Sequence, residues 1–67
     1  MAEIRLNGKA RSVEPGESVA ALIRRLDLDP RWVIAELNGH PVSRDRFDAE
    51  ILTAGDRLEL VRAVAGG

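Results

Sequence analysis

The sequence predicts an α+β fold in which one main helix packs on one face of a mixed sheet of four to five strands. Two Asn-Gly pairs, Asn7-Gly8 and Asn38-Gly39, each stand between short segments of alternating apolar and polar residues, which is the pattern of β-hairpins. A single stretch between the two pairs has the apolar spacing of a helix, and another alternating segment follows the second hairpin. These observations indicate strands at both ends of the chain and a helix between them.

The first hairpin is predicted over residues 3–7 and 9–13. Ile4 and Leu6 alternate with polar neighbours, so one face of this strand is buried. Asn7-Gly8 suits a two-residue turn in which both central positions have positive φ. The proline and glycine of Glu14-Pro15-Gly16 end the second strand, because proline cannot donate to the ladder.

The helix is predicted to begin after Ser18, whose hydroxyl can cap the first turn. Val19, Leu22, Ile23 and Leu26 follow at i, i+3, i+4 and i+7, which places them on one stripe facing the sheet. Asp29-Pro30 closes this segment, since a residue before proline is disfavoured in the α region.

The second half of the chain is predicted to contain strands at 32–37 and around Pro41-Val42, then a short turn of helix anchored by Phe47. Trp32 is interpreted as an anchor at the edge of the core in preference to a partner contact. The last strand is expected over 57–64. Its alternation breaks after Leu60, which predicts either a bulge or an exposed apolar end.

The order strand, strand, helix, strand, short strand, strand is that of the β-grasp arrangement, in which the first and last strands lie side by side in parallel. A right-handed crossover is compatible with this order. We expect a single domain over residues 1–67, with a flexible tail at 63–67.

Composition excludes several classes of function. The chain has 67 residues, ten basic and eleven acidic ones, a net charge of −1 and no cysteine. This balance offers no basic surface for nucleic acid, and no apolar run is long enough for a membrane span. His40 stands alone, so neither a metal site nor a catalytic residue is predicted. We expect a cytoplasmic protein.

The last residues of the sequence, Ala65-Gly66-Gly67, suit neither a helix cap nor the packed end of a strand. Gly66 and Gly67 have no Cβ, so they can form a thin thread that carries the Gly67 carboxylate into a narrow enzyme channel. Val61, Ala63 and Val64 lie before this thread. They fit equally an ordinary strand end and an exposed apolar partner contact.

Over its full length the chain resembles the ThiS family of sulfur carrier proteins, which are ubiquitin-like β-grasp domains. The most specific motif is Gly55-Asp56-Arg57-Leu58-Glu59-Leu60-Val61 running into the diglycine. The motifs Ile4-Arg5-Leu6-Asn7-Gly8 and Ile34-Ala35-Glu36-Leu37-Asn38-Gly39 add to it. Phe47 stands where this family often has Trp, and Ser43 where Pro is frequent.

The resemblance implies that the chain is not an enzyme but a substrate of enzymes. A ThiF-type activating enzyme would use ATP to adenylate the Gly67 carboxylate, and a sulfur donor system would convert it to a thiocarboxylate. A ThiG-type thiazole synthase would then take the sulfur for the thiazole of thiamin. Gly66 and Ala65 would thread the tail into these enzymes. No cofactor would be permanently bound, and the free carrier would be a monomer.

Other functions remain open at this point. A MoaD-like carrier for molybdopterin, or one for tRNA thiolation or cysteine synthesis, would share the sulfur chemistry. A ubiquitin-like modifier would use the same activation with an amine as the nucleophile. A β-grasp binding module with an incidental diglycine would use none of it.

Overall fold

The computed structural model describes residues 1–63, which form a five-stranded sheet, one α-helix and two 3₁₀ turns. The strands are β1 (Ala2–Leu6), β2 (Lys9–Val13), β3 (Val33–Leu37), β4 (His40–Val42) and β5 (Arg57–Arg62). The helix is α1 (Val19–Arg25), and the 3₁₀ turns span Pro30–Trp32 and Arg44–Arg46.

The sheet is mixed, with the strand order β2-β1-β5-β3-β4. β1 runs parallel to β5, whereas β1 with β2, β3 with β4 and β3 with β5 are antiparallel. The last strand therefore lies in the middle of the sheet, beside the first. This topology confirms the predicted β-grasp fold.

Both Asn-Gly pairs form the predicted hairpin turns. Asn7 and Gly8 have φ values of 49° and 84°, and Asn38 and Gly39 have values of 53° and 84°. Positive φ at both central positions is what a type I′ turn requires, and asparagine and glycine tolerate it best. The turn chemistry thus fixes the register of both hairpins.

Helix α1 begins as the sequence predicts. The Ser18 Oγ accepts a hydrogen bond from the Ala21 amide at 3.0 Å, which satisfies one of the free donors of the first turn. Ser18 also bridges to Ile51, so the cap is tied to the segment before β5.

The helix ends earlier than Asp29-Pro30, at Arg25, because the chain turns into a left-handed conformation at Asp27, whose φ is 64°. The Asp27 amide donates to the Arg24 carbonyl at 3.0 Å, and the Leu28 amide donates to the Ile23 carbonyl at 3.1 Å. Together these bonds are a Schellman motif, which usually has glycine at the left-handed position.

The core lies between α1 and the inner face of the sheet. It comprises the buried side chains of Ile4, Val13, Val19, Ala20, Leu22, Ile23, Val33, Ala35, Phe47, Leu52, Leu58 and Leu60. Phe47 anchors the segment after β4 as predicted. Leu6, Leu26 and Leu37 pack against this core at its margin.

The prediction that Trp32 begins the third strand is wrong. It ends the 3₁₀ turn Pro30–Trp32, and β3 starts one residue later. Proline at the first position of this turn has a φ suited to it, and the Asp29 Oδ1 accepts from the Arg31 amide at 2.9 Å. Trp32 is 44% exposed and is not among the side chains that form or flank the core, so the structure does not support its predicted role as a core-edge anchor.

Candidate functional site

The candidate site is the end of β5, from which the predicted tail continues. The Ala63 amide donates to the Trp32 carbonyl at 2.6 Å, so the pairing of β3 with β5 extends to the last residue that the structure describes. Val64, Ala65, Gly66 and Gly67 lie outside the described residues. Of the predicted flexible tail at 63–67, only Ala63 is therefore placed.

Strand β5 is held on the β1 side partly by a side chain. β1 ends at Leu6, which would leave the main chain of Leu60 without a partner on that side. The Asn7 side chain fills this gap, because its Oδ1 accepts from the Leu60 amide at 2.8 Å and its Nδ2 donates to the Leu60 carbonyl at 3.2 Å. Asn7 thus continues the parallel pairing toward the tail.

Asn38 holds the start of the same strand from the β3 side. Its Oδ1 accepts from the Arg57 amide at 2.8 Å, and its Nδ2 donates to the Asp56 Oδ1 at 3.0 Å. The other carboxylate oxygen of Asp56 accepts from the Thr53 amide at 2.9 Å. Both turn asparagines therefore position the strand that carries the tail.

Val61 lies on the sheet face that points away from α1, and it is 57% exposed. It is paired with Ile34, which is 58% exposed on the same face. The register continues unbroken to the pair Val33 and Arg62. The break in alternation after Leu60 is thus an exposed apolar end and not a bulge.

A shallow groove of about 480 Å³ opens beside the last described residues. Its lining residues come from the end of α1, the Pro30–Trp32 turn and the strand ends: Asp27, Leu28, Asp29, Trp32, Val33, Arg62 and Ala63. The groove thus combines an apolar floor with two carboxylates and one guanidinium. Ala63, a predicted partner contact, lies at its rim.

Asp29, one of the carboxylates of this groove, forms an ion pair with Arg31. The Arg31 guanidinium donates to the Asp29 carboxylate, with Nη2 and Oδ2 separated by 2.8 Å. This hydrogen bond lowers the pKa of Asp29 from its ordinary value, and the bond from the Arg31 amide lowers it further.

Residues 1–63 contain no group of three or more His, Asp or Glu side chains arranged to hold a metal ion. Within the same part of the chain, neither α1 nor the 3₁₀ turns are long or apolar enough to cross a membrane.

Comparison with known proteins decides the family. A model of the ThiS family matches residues 4–67, which includes the whole of β5 and both final glycines. The chain belongs to the ThiS family.

Solved structures and a curated relative agree with this assignment. The crystal structure of the thiamine biosynthesis protein ThiS from Geobacter metallireducens is 32% identical to this chain, with a TM-score of 0.79 over 97% of this chain and 99% of that one. A solution structure of a thiamine biosynthesis protein from the same organism gives 32% identity and a TM-score of 0.76, over 97% and 87% of the two chains. A thiazole synthase from Magnetococcus marinus is 34% identical over 65 residues. That match covers 97% of this chain but only 20% of the synthase, so the chain spans a fifth of that relative's length.

These findings confirm the family predicted from the sequence and its ubiquitin-like β-grasp fold. The sequence interpretation missed three contributors to the site. Asn7 and Asn38 were predicted only as turn residues. A strand that runs past a turn has main-chain groups that need hydrogen-bond partners, and an asparagine in the turn can supply them. The interpretation also left Ile34 aside, although the alternation of β3 already placed Ile34 opposite the core.

Proposed function

We propose that this chain is a cytoplasmic sulfur carrier of thiamin biosynthesis, monomeric when free, and that it carries sulfur as a thiocarboxylate on Gly67. A ThiF-type adenylyltransferase activates the Gly67 carboxylate, a donor system supplies the sulfur, and a ThiG-type thiazole synthase consumes it. The observation that carries the proposal is the family match, because it runs through both glycines to residue 67.

The proposed chemistry needs two steps at the Gly67 carboxylate. The Gly67 carboxylate oxygen attacks the α-phosphorus of ATP, which releases pyrophosphate and leaves an acyl-adenylate. Sulfur at the oxidation level of sulfide then attacks the acyl carbon and expels AMP, which leaves the thiocarboxylate. The activating enzyme supplies ATP and the electrostatic stabilisation of both steps. This chain is their substrate.

The described residues suit such a carrier. β5 lies in the middle of the sheet, hydrogen-bonded to β1 and β3, and its main chain is also bound by Asn7 and Asn38. The strand that precedes the tail is thus fixed to a rigid body. Gly66 and Gly67 have no side chains that would clash with a narrow channel. Because the sulfur is bound to a main-chain carbon, the carrier needs no cysteine.

The comparisons favour thiamin biosynthesis over the other sulfur pathways. Both solved structures are described as thiamine biosynthesis proteins. The curated relative is described as a thiazole synthase, and its similarity to this chain supports a ThiG-type partner.

The test is adenylation by the ThiF-type enzyme of the same organism, followed as ATP–pyrophosphate exchange dependent on this chain. Deletion of Gly67 should abolish the exchange, and so should one alanine added after Gly67. An Ala65→Gly variant is the matched control, because it changes the tail and keeps its end; it should retain exchange.

Thermal unfolding of all these variants should coincide, because each of them leaves the core side chains of the described residues unchanged. If the chain without Gly67 supported exchange as well as the full chain, the proposal would be wrong. Exchange followed by transfer of Gly67 to a lysine amine, with no thiocarboxylate, would instead favour a ubiquitin-like modifier.

A further inference from the structure

The two edges of the sheet differ in how they are closed to other strands. β4 forms one edge and β2 forms the other. Successive residues of an antiparallel strand direct their main-chain groups alternately toward the partner strand and away from it. In β4, His40 follows a two-residue turn and forms a hydrogen-bonded pair with Leu37, so Pro41 is the residue directed away. Proline has no N–H, so the β4 edge offers no donor at that position.

The β2 edge is open by comparison. Lys9 follows the first turn and pairs with Leu6, so Ala10 and Ser12 direct their main-chain groups away from β1. The Ser12 carbonyl confirms this direction, because it accepts a hydrogen bond from the Arg25 Nη2 at 3.0 Å. Both Ala10 and Ser12 are exposed. In the part of the chain that the structure describes, no strand or side chain binds the outward Ala10 amide, Ala10 carbonyl or Ser12 amide.

The charged groups around the β2 edge are mainly basic. Four cations lie on β2 and in the last turn of α1: Lys9, Arg11, Arg24 and Arg25. The buried Glu17 carboxylate is paired with Arg25 at 2.8 Å, and Glu14 is the other carboxylate close to Arg25. The β2 edge therefore carries a positive charge in a chain whose net charge is −1.

These charges disfavour a second copy of this chain as the occupant of the edge. Antiparallel pairing of two β2 strands about Ala10 would place Lys9 opposite the Arg11 of the second copy, and pairing about Arg11 would place the two Arg11 side chains opposite each other. Like charges opposite each other destabilise a sheet. Pairing about Ser12 would need the carbonyl that Arg25 already binds. The edge thus suits a strand of the opposite charge.

We propose that the β2 edge binds an extended acidic segment of another protein, which joins the five-stranded sheet as a further strand. The Ala10 amide and carbonyl supply main-chain hydrogen bonds to this segment, as in other cases of strand addition. Acidic side chains at alternate positions of the segment lie opposite Lys9 and Arg11, where opposite charges stabilise the pairing.

Arg25 can change partners when the segment binds. Its bond to the Ser12 carbonyl is exposed, so an amide of the incoming strand can replace it. The Arg25 Nε stays bound to Glu17 at 2.8 Å, which keeps the guanidinium beside the edge and close to an acidic side chain of the segment. Since β1 separates β2 from β5, the added strand leaves the end of β5 accessible. The inference goes beyond the proposed function and does not depend on it.

The test uses the full chain, isotopically labelled for NMR, and two synthetic peptides that differ only in charge. One peptide alternates valine with glutamate, and the other alternates valine with lysine. The glutamate peptide should bind saturably and slow the hydrogen exchange of the Ala10 and Ser12 amides about tenfold or more, because both become hydrogen-bonded. The lysine peptide should bind about tenfold more weakly or not at all.

The Ala10→Pro variant separates strand addition from simple attraction between charges. It removes an N–H that β1 does not bind and leaves every charge in place. Pro41 already holds the corresponding outward position in β4. The variant should bind the glutamate peptide about tenfold more weakly than the wild type, whereas Ala10→Val, which keeps the N–H, should bind as the wild type does.

Lys9→Glu tests the charge and also serves if Ala10→Pro does not fold. It should weaken binding of the glutamate peptide about tenfold, because a carboxylate then faces the acidic segment. Arg44→Glu is its matched control, since it makes the same change in net charge in the turn that follows the opposite edge strand. Its affinity should stay within about twofold of the wild type, because distant surface charges are screened.

Several results would overturn the inference. One is a glutamate peptide that does not bind the wild type, and another is binding that leaves the exchange of the Ala10 and Ser12 amides unchanged. Equal binding by the wild type and by folded Ala10→Pro, or by Lys9→Glu, would also count against it. A dimer of the free chain in sedimentation that Ala10→Pro abolishes would show that a second copy occupies the edge instead.

Discussion

Replacement of Asn7 by glycine removes the side chain that holds β5 beyond the end of β1. The variant loses the two hydrogen bonds to the Leu60 main chain, of 2.8 and 3.2 Å, each with a net value of about 1 kcal/mol. Glycine tolerates the φ of 49° at this position more easily, and this gain roughly offsets its greater freedom in the unfolded chain. Both bonds are partly buried in the wild type, so water should replace them only in part.

The free energy of unfolding should therefore fall by about 2 kcal/mol, which for a domain of this size lowers the melting temperature by roughly 8–16 °C. Urea unfolding, followed by the fluorescence of Trp32, the sole tryptophan of the sequence, measures the change in the free energy of unfolding.

The chain contains a matched control in Asn38→Gly. Asn38 has a φ of 53° and precedes a glycine at 84°, just as Asn7 does with its φ of 49°. Its side-chain bonds to Arg57 and Asp56 are exposed, so water replaces them and the variant should lose about 1 kcal/mol or less. Equal losses in the two variants, or an Asn7→Gly protein as stable as the wild type, would show that the Asn7 side chain does not fix β5.

Three further predictions concern the scaffold. The buried Glu17 carboxylate accepts from Arg25 at 2.8 Å, and this bond lowers the pKa of Glu17 in the folded state. The stability that the bond adds at neutral pH should be lost as the pH falls through that pKa. In Glu17→Gln the unfolding midpoint should therefore depend less on pH between neutral and acid. Asp27→Gly should raise the free energy of unfolding by about 1 kcal/mol. Asp27 occupies the left-handed position after α1, which favours glycine, and places a negative charge at the C-terminus of the helix. An unchanged or lower urea midpoint would contradict this prediction. Leu58→Ala should lower the free energy of unfolding by about 3 kcal/mol, because Leu58 is fully buried in the central strand. Val61→Ala on the exposed face should lower it by about 0.5 kcal/mol or less. Similar losses for the two variants in urea unfolding would refute the assignment of the two faces.

The fold could be predicted because its signals are local. Alternation in β1 and β5, the two Asn-Gly pairs and the Ser18 cap each depend on residues a few positions apart, and their order suffices for the β-grasp topology. The 3₁₀ turn Pro30–Trp32 was missed, although Asp29-Pro30 carries its signal, because that pair also suits a simple end of the helix.

What could not be predicted depends on contacts between distant parts of the chain. The bonds from Asn7 to Leu60 join residues 53 positions apart. They form because β1 ends at Leu6, directly before Asn7, while β5 continues past that point. The pairs of exposed side chains Ile34 with Val61 and Glu36 with Glu59 likewise depend on the register of β5 against β3. Sequence alternation tells which face Val61 and Ile34 occupy, but only the register makes them neighbours.

The intact mass of the protein, purified from its native cells without alkylating agents, tests most directly whether Gly67 carries sulfur. We predict a species heavier by the replacement of one oxygen by sulfur, with the added mass confined to the C-terminal fragment that ends at Gly67. A chain that retains only its carboxylate, even after incubation with ATP, the ThiF-type adenylyltransferase and a sulfide source, would show that Gly67 is not a sulfur carrier.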